Sequence, residues 1–212
     1  MSTLFDAKTL AEFKKPQLVE MILELQKEKN TLISQALDIA KIDERVTEQE
    51  RSLNLYLQYG RRNSVEVTGI PAEVKQEDLE DHIIKIFDTA QVKVHGKSLD
   101  HMDIEAAHRI GKKNVVIARF VNRKFAREAL YKSKNLKGTN IYGNQPIYIN
   151  DSFCRPFQLI GYVVRQLKKR GIIQGFKIRN GVYSIKIGEK FEEISHKNDF
   201  NKFNIDIAQI VQ

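Results

Sequence analysis

The chain has 212 residues, of which 35 are Lys or Arg, 27 are Asp or Glu and 42% are hydrophobic. This length allows one large domain or two small ones beside a helical segment, and this composition excludes wholesale disorder. The single cysteine, Cys154, excludes an intrachain disulfide and a cysteine-based zinc finger, and it suits a reducing compartment.

The formal net charge of +8 is distributed unevenly along the chain. Residues 1–60 carry 8 basic and 10 acidic side chains, whereas residues 61–150 carry 16 and 11, and residues 151–212 carry 11 and 6. Residues 152–187 contain eight Lys or Arg and no acidic residue. Acid-poor segments attract polyanions through phosphate contacts, although a solvated basic surface has the same composition. The distribution favours nucleic acid as the partner.

Residues 1–60 predict a long helix that self-associates. Apolar residues recur at every seventh position from Leu18 to Leu53 and form one column of the repeat. A second column, also spaced by seven, runs from Ile22 to Leu57 and has polar or small residues in its middle. This repeat is typical of a supercoiled helix, whereas an amphipathic helix that folds back on its own domain has a broader apolar face. We therefore expect a coiled-coil oligomerisation stalk, either dimeric or trimeric. The expected seam residues are Leu18, Ile22, Leu25, Leu32, Ile39, Val46 and Leu53.

Residues 61–150 predict the order strand, helix, strand, strand, helix, strand. The strands are expected at 65–70, 102–110, 115–121 and 147–150, and the helices at 74–90 and 123–136. This order is that of the ferredoxin-like fold found in RNA-recognition motifs. If Phe120 faces the core, Val115 and Ile117 face outward where such motifs carry stacking aromatics, and Glu66 faces outward beside them. We therefore expect backbone binding rather than base stacking on this sheet.

Residues 151–212 predict a small α+β domain that binds nucleic acid. Asp151 and Ser152 are the candidate N-caps of a helix that stops at Gly171. A hairpin over 176–187 turns at Asn180-Gly181 and places Ile178 opposite Tyr183. Alternation along its strands predicts a core face and a basic face. The expected core face consists of Phe176, Ile178, Tyr183, Ile185 and Ile187.

The candidate nucleic-acid-binding residues are Lys and Arg side chains of residues 61–212, on the predicted helices and strands and on the segments that connect them. Arg127 follows Arg123 by one turn of the same predicted helix, where a merely solvated helix face is the alternative. The candidates are Arg61, Arg62, Arg109, Lys112, Lys113, Arg119, Arg123, Arg155, Arg165, Lys168, Lys169, Lys177, Arg179 and Lys186.

Several short segments between about residues 50 and 200 follow one another in a characteristic order. They are Tyr59–Asn63, Val65–Pro71, Ala107–Arg109, Asn150–Asp151 with Pro156, Leu167–Lys169, Arg179–Gly181 and Ile194–His196. In this order and spacing they resemble the first-open-reading-frame proteins of LINE-type retrotransposons and the related baculovirus few-polyhedra (FP) proteins, with their cellular relatives.

The resemblance implies a coiled-coil oligomer, a trimer in the retrotransposon members, with a non-standard RNA-recognition domain and a small C-terminal domain. It implies that the two domains together grip single-stranded nucleic acid and act as a chaperone. By motif it favours Arg61, Arg62, Arg109 and Arg179. The few-polyhedra branch implies an alternative, a coiled-coil scaffold that acts through protein contacts in particle or envelope protein traffic.

The sequence carries no pattern that predicts catalysis. It contains no P-loop, nucleophile elbow or HExxH, and His95, His101 and His108 lack the neighbours that would complete a metal site. We expect no enzymatic activity and no cofactor. Because no run of 18 apolar residues occurs and residues 1–15 lack an apolar signal region, we expect an intracellular protein of the cytoplasm or also the nucleus, without membrane insertion.

Overall fold

The computed structural model describes residues 15–111, 114–143 and 145–211, apart from the side chains of residues 208 and 211. The chain divides into two units, Met1–Gln49 and Glu50–Gln212. The fold is α+β and contains a long helix that precedes the first sheet in the chain, as the sequence predicts.

The elements follow one another in chain order from helix α1, which spans Lys15–Tyr59. They continue as β1 (Ser64–Thr68), α2 (Leu79–Thr89), β2 (Lys93–Val94), β3 (Lys97–Ser98), β4 (Ile104–Arg109), β5 (Val115–Phe120), α3 (Arg123–Lys132), β6 (Tyr148–Asp151), α4 (Arg155–Lys169), β7 (Gly175–Arg179), β8 (Val182–Ile187), β9 (Lys190–Ile194) and α5 (Ala208–Val211). Short 3₁₀ segments cover Gln76–Asp78, His101–Asp103, Ser133–Leu136 and Lys197–Phe203.

Helix α1 exposes the apolar side chains of the predicted seam. Pro16 lies in its first turn, where the missing N–H needs no partner. Leu18 is half-buried, whereas the other six seam residues are exposed. Leu32 is 58% exposed, so its isobutyl group stays largely in contact with water within this single chain. Water contact over so long a stripe is unfavourable unless another surface covers it.

The first sheet has the antiparallel strand order β4-β5-β1-β6. Alternate residues of its central strands are fully buried, including Val65, Val67 and Phe120, and helices α2 and α3 contribute Phe87 and Phe125 to the same core. The predicted order of strands and helices is confirmed, with bounds shifted by a few residues. The short β2-β3 hairpin was not predicted.

The second sheet has the antiparallel order β7-β8-β9 and packs against helix α4. The predicted hairpin register is confirmed, with Ile178 opposite Tyr183 and Phe176 opposite Ile185. The predicted core face is only partly right. Tyr183 and Ile185 on the central strand are buried, but Phe176, Ile178 and Ile187 are each exposed by slightly more than a third. Phe176 and Ile178 lie on the edge strand β7, where fewer neighbours cover them, and Ile187 is the last residue of β8.

The predicted N-caps of helix α4 are wrong. Asp151 is the last residue of β6 and pairs with Val65, so extended pairing continues past the expected helix start. The helix begins at Arg155, with Cys154 at the capping position and Pro156 in the first turn, where proline is favoured.

The last turns of α1 dock on the C-terminal part of the chain through polar side chains. Glu50 accepts from Nε2 of His196 at 2.8 Å, and the guanidinium of Arg51 pairs with the buried carboxylate of Asp199. Asn54 donates to the backbone oxygen of Ser195 at 3.1 Å. We call these the helix-end contacts. They place residues 50–59 structurally with the domain that follows, although the helix itself is continuous.

The Asp199→Asn variant is expected to lower the free energy of unfolding by about 3 kcal/mol, because Asn removes the buried charge that the Arg51 guanidinium and the backbone N–H groups of Ser195 and His196 contact. Burial alone would raise the pKa of Asp199, but backbone N–H groups of Ser195 and His196 and the Arg51 guanidinium outweigh it and lower the pKa below 3.8. The stability from Asp199 is therefore complete above pH 3.8 and lost as the pH falls through the folded pKa. Denaturant unfolding between neutral and acid pH measures both effects.

The matched control is Glu189→Gln, which removes a carboxylate from the exposed turn between β8 and β9. It is expected to leave the unfolding midpoint within a few tenths of a kcal/mol of the parent. Equal stability of the two variants at neutral pH would contradict a stabilising role for the helix-end contacts.

Candidate nucleic-acid interface

A cleft of about 630 Å³ gathers arginines from three regions of the chain. Arg61 and Arg62 enter it from the turn after α1, Arg123 and Arg127 from one face of α3, and Arg179 from the end of β7. We call it the arginine cleft. Its remaining walls are Gln58, Ser64, Leu130, Tyr131, Asp151, Ser152, Ile178, Asn180 and Gly181.

Gln58 holds the end of α1 against the segment that follows β6 and against the hairpin turn. Its amide nitrogen donates to the backbone oxygen of Ser152 at 3.0 Å, and its side-chain oxygen accepts from the backbone N–H of Cys154 at 3.0 Å. Gly181 has a positive φ of 76°, and a Cβ there would lie 2.5 Å from Nε2 of Gln58. Glycine at position 181 therefore lets the hairpin turn approach the helix end closely without displacing the hydrogen-bonded side chain of Gln58.

The arginines of the cleft are poorly neutralised. The described ion pairs that involve arginine are those of Arg51 and Arg119, and neither lies in the cleft. Arg61 donates to the hydroxyl of Ser152 at 3.3 Å, and the guanidinium of Arg62 lies 4.5 Å from the ring centroid of Tyr59. The buried Nε of Arg62 has no hydrogen-bond partner in the described part of the chain.

One carboxylate, Asp151, lies in the same cleft. Burial raises the pKa of Asp151 above its ordinary value, since the charged form loses contact with water. The cleft as a whole is a concave surface with a strong excess of positive charge, which suits a polyanion.

Arg109 has a different environment from the cleft arginines. Its guanidinium donates to the backbone oxygens of Ile70, Pro71 and Val74, and so holds the loop between β1 and α2. Arg119 points out of β5 and pairs with Glu105 at 2.9 Å. Both guanidinium groups therefore use N–H donors in contacts within the protein itself. Lys112 and Lys113 fall outside the described residues.

The predicted cations of the C-terminal domain do not line the arginine cleft, except for Arg179. Arg155 and Lys169 are exposed on α4. Arg165 donates to the hydroxyl of Tyr183 at 3.4 Å, and Lys168 donates to the backbone oxygen of Gln174 at 2.6 Å. Lys177 lies 4.1 Å above the ring of Phe191, and Lys186 is half-buried.

The residues that shape the cleft rather than charge it were not predicted. Gln58 lies in a predicted coiled coil, yet it is only 2% exposed in the single chain. Tyr131 follows Arg123 and Arg127 at four-residue intervals, so the three share one helical face. That interval is a signal in the sequence. No local pattern indicates the contact between Gln58 and Gly181.

Neither a scan against protein-family models nor a search of curated proteins finds a match to this chain. In the described part of the chain, no helix combines the length and apolar character that crossing a membrane requires. Within the same residues, no three His, Cys, Asp or Glu side chains are grouped so that they could hold a metal ion.

Proposed function

We propose that the protein is an oligomeric, single-stranded nucleic-acid-binding protein that holds RNA or DNA by its backbone, with little sequence preference. The observation that carries this proposal is the convergence of Arg61, Arg62, Arg123, Arg127 and Arg179 on one cleft. Guanidinium groups bind phosphates through paired N–H donors and a permanent charge. A cleft that collects five such groups without matching ion pairs suits a chain of phosphates better than a single small anion.

Binding with little sequence preference is expected because the central strands of the first sheet present no aromatic side chains outward. The outward-facing side chains of its two central strands include Glu66, Ile117 and Arg119, none of which is aromatic. RNA-recognition motifs read single bases by stacking them on aromatics at such positions. Backbone contacts position a strand without reading its sequence. A chaperone-like role, in which strands bind and exchange, suits this mode of contact.

We further propose that the first sheet with α2 and α3 is a ferredoxin-like domain of the RNA-recognition type. Four antiparallel strands in the order β4-β5-β1-β6, with a helix after β1 and another after β5, support this assignment. The β2-β3 hairpin is an insertion between α2 and β4. The arginine cleft would then lie beside α3 and the end of β6, not on the sheet surface that such domains ordinarily use.

Self-association through α1 completes the proposal. The exposed column from Ile22 to Leu53 supports it, because a partner helix would remove these side chains from water. Several arginine clefts would then act on one strand.

Binding to single-stranded RNA is expected to weaken steeply with salt. Each neutralised phosphate contributes about 0.7 to the slope of log affinity against log salt, so the five cleft arginines predict a slope of up to about 3.5 per protomer. Anisotropy titrations with a labelled homopolymer and a mixed-sequence strand, at four or more salt concentrations, measure slope and sequence preference together. Duplex DNA serves as the comparison ligand.

Three outcomes of this titration would count against the proposal. They are a slope near zero, a strong preference for one sequence, and tighter binding to duplex DNA than to single strands. An absence of binding to any nucleic acid would instead favour the alternative function, a coiled-coil scaffold of the few-polyhedra type that acts through protein contacts in particle or envelope protein traffic.

A further inference from the structure

A second cavity, of about 700 Å³, is lined by residues that neighbour those of the arginine cleft in the chain. The cleft is lined by Leu130 and Tyr131 on one side and by Asp151 on the other. The second cavity is lined by residues from Ser133 onward on the first side and by Asn150 on the other. The lining residues therefore run on from one cavity to the next along β6 and along the segment that leads from α3 into the 3₁₀ turn Ser133–Leu136. We call the second cavity the lysine pocket.

A regular row of side chains runs through the cleft and the lysine pocket. Arg123 and Arg127 are followed by Tyr131, Lys134 and Lys137, at intervals of four, four, three and three residues. Such intervals keep side chains on one face of a helix and its continuation. All five are exposed, and no described carboxylate forms an ion pair with any of them. The row is cationic on both sides of a single aromatic ring.

Tyr131 lines the arginine cleft two residues before Ser133, the first residue of this segment that lines the lysine pocket. Its side chain is 65% exposed, which is high for so large an aromatic residue. The ammonium of Lys134 lies 5.0 Å from its ring centroid, so a cation already accompanies the ring. An exposed ring beside cations provides a stacking surface for a base whose flanking phosphates are neutralised.

We infer that a single strand held in the arginine cleft continues past Tyr131 into the lysine pocket, with one base stacked on Tyr131 and its following phosphates at Lys134 and Lys137. This inference rests on the proposed function. It adds a second binding site and says on which side of the arginine cleft the strand continues, which the arginines alone do not give. Tyr148, which is exposed on β6 and lines the lysine pocket, offers a second aromatic surface further along the same path.

The test uses the full chain and compares single-stranded RNA of about 5 and about 15 nucleotides, lengths that bracket a short and a long site. Tyr131→Leu is expected to weaken binding of the longer strand about tenfold, whereas Tyr131→Phe keeps it, because stacking needs the ring and not the hydroxyl. Tyr162→Leu, at an exposed tyrosine of α4 outside both cavities, is the matched control and is expected to bind as the parent does.

Two further measurements separate stacking from charge. A fluorescent adenine analogue placed at successive positions of the longer strand is expected to be quenched at one position in the parent and in Tyr131→Phe, but not in Tyr131→Leu. The double variant Lys134→Ala, Lys137→Ala is expected to reduce the salt slope by about 0.7 per lost contact for the longer strand. The shorter strand, which fits within the arginine cleft, is expected to show no change in slope.

The outcomes distinguish this inference from the proposed function. If Tyr131→Leu and the double lysine variant bind the longer strand as tightly as the parent does, the extended path is wrong, even where substitutions of Arg123 and Arg127 still abolish binding. If the parent itself binds no single strand, both proposals fail together.

Discussion

Reversal of charge at Arg123 and Arg127 to Glu is expected to weaken single-stranded RNA binding about 100-fold at physiological salt. The double variant removes two guanidinium contacts and places two carboxylates where the proposed phosphates lie, so attraction is replaced by repulsion at both positions. The salt slope is expected to fall by about 1.4, since two phosphate contacts at about 0.7 each are lost. Anisotropy titration with a strand of about 30 nucleotides measures both quantities.

These two arginines give the clearest test because the protein makes little structural use of them. Both side chains are exposed on α3, and neither has a described hydrogen bond or ion pair. Arg61, by contrast, donates to Ser152, and Arg62 packs on Tyr59, so their loss would disturb the turn after α1 as well as the charge. A change in affinity after Arg123 and Arg127 are replaced therefore reports on the ligand.

The matched control reverses Lys190 and Lys197, which are exposed on the C-terminal domain outside both cavities. It alters the net charge of the chain by the same amount, so it shares any long-range electrostatic effect. An affinity of the arginine variant within about threefold of this control would show that the cleft is not the binding site. Circular dichroism and light scattering establish that fold and oligomeric state are unchanged.

The local elements could be predicted because their causes are local. Alternation of apolar residues placed β1, β5 and β8, and the Asn180-Gly181 turn fixed the register between Phe176 and Ile185. The start of α4 could not be predicted from Asp151, because that residue is held by pairing with Val65, some 86 positions earlier in the chain. Pairing with a strand that is distant in the chain therefore outweighs the local capping preference and sets where the helix begins.

The arginine cleft could be predicted in its charges but not in its assembly. The sequence indicates that Arg61, Arg123 and Arg179 belong to basic segments, yet nothing local says that these segments meet. The segments of Arg61 and Arg179 meet because Gln58 bonds the backbone on either side of Phe153 and because Gly181 lets the turn approach, while Phe125 and Ala129 hold the helix of Arg123 on the first sheet. Arg109 illustrates the converse, since a motif marks it out while three backbone oxygens occupy its donors.

The helix-end contacts also change how the stalk should be removed in an experiment. Asn54 and Gln58 are buried against the C-terminal domain, so a deletion that ends at residue 61 would take away part of that domain's packing. A point substitution within Lys15–Gln49 separates assembly from folding more cleanly, because this segment belongs to the other unit of the chain.

Leu32→Asp is expected to disrupt self-association and, with it, most of the affinity for long strands. A carboxylate in an apolar seam must be buried without a partner charge or leave the seam, and either result weakens the oligomer by several kcal/mol. Leu37→Asp is the matched control. Leu37 is the same residue type on the same helix with the same 58% exposure, but it lies outside both columns of the repeat. Light scattering over a range of concentrations measures the association of each variant.

The effect on binding is expected to depend on the length of the strand. When one arginine cleft has bound, a second cleft of the same oligomer meets the strand at high local concentration, and such linkage commonly raises affinity by 10²–10⁴ without any new contact. Leu32→Asp is therefore expected to lose about 100-fold or more on a strand of about 60 nucleotides, but only a few-fold on a strand that fills one cleft. Equal losses on both strands would mean that α1 supports the fold of each cleft and does not gather several clefts on one nucleic acid. Undiminished binding by a monomeric Leu32→Asp variant would mean that single clefts suffice, because the gain in affinity from linkage requires several clefts in one oligomer.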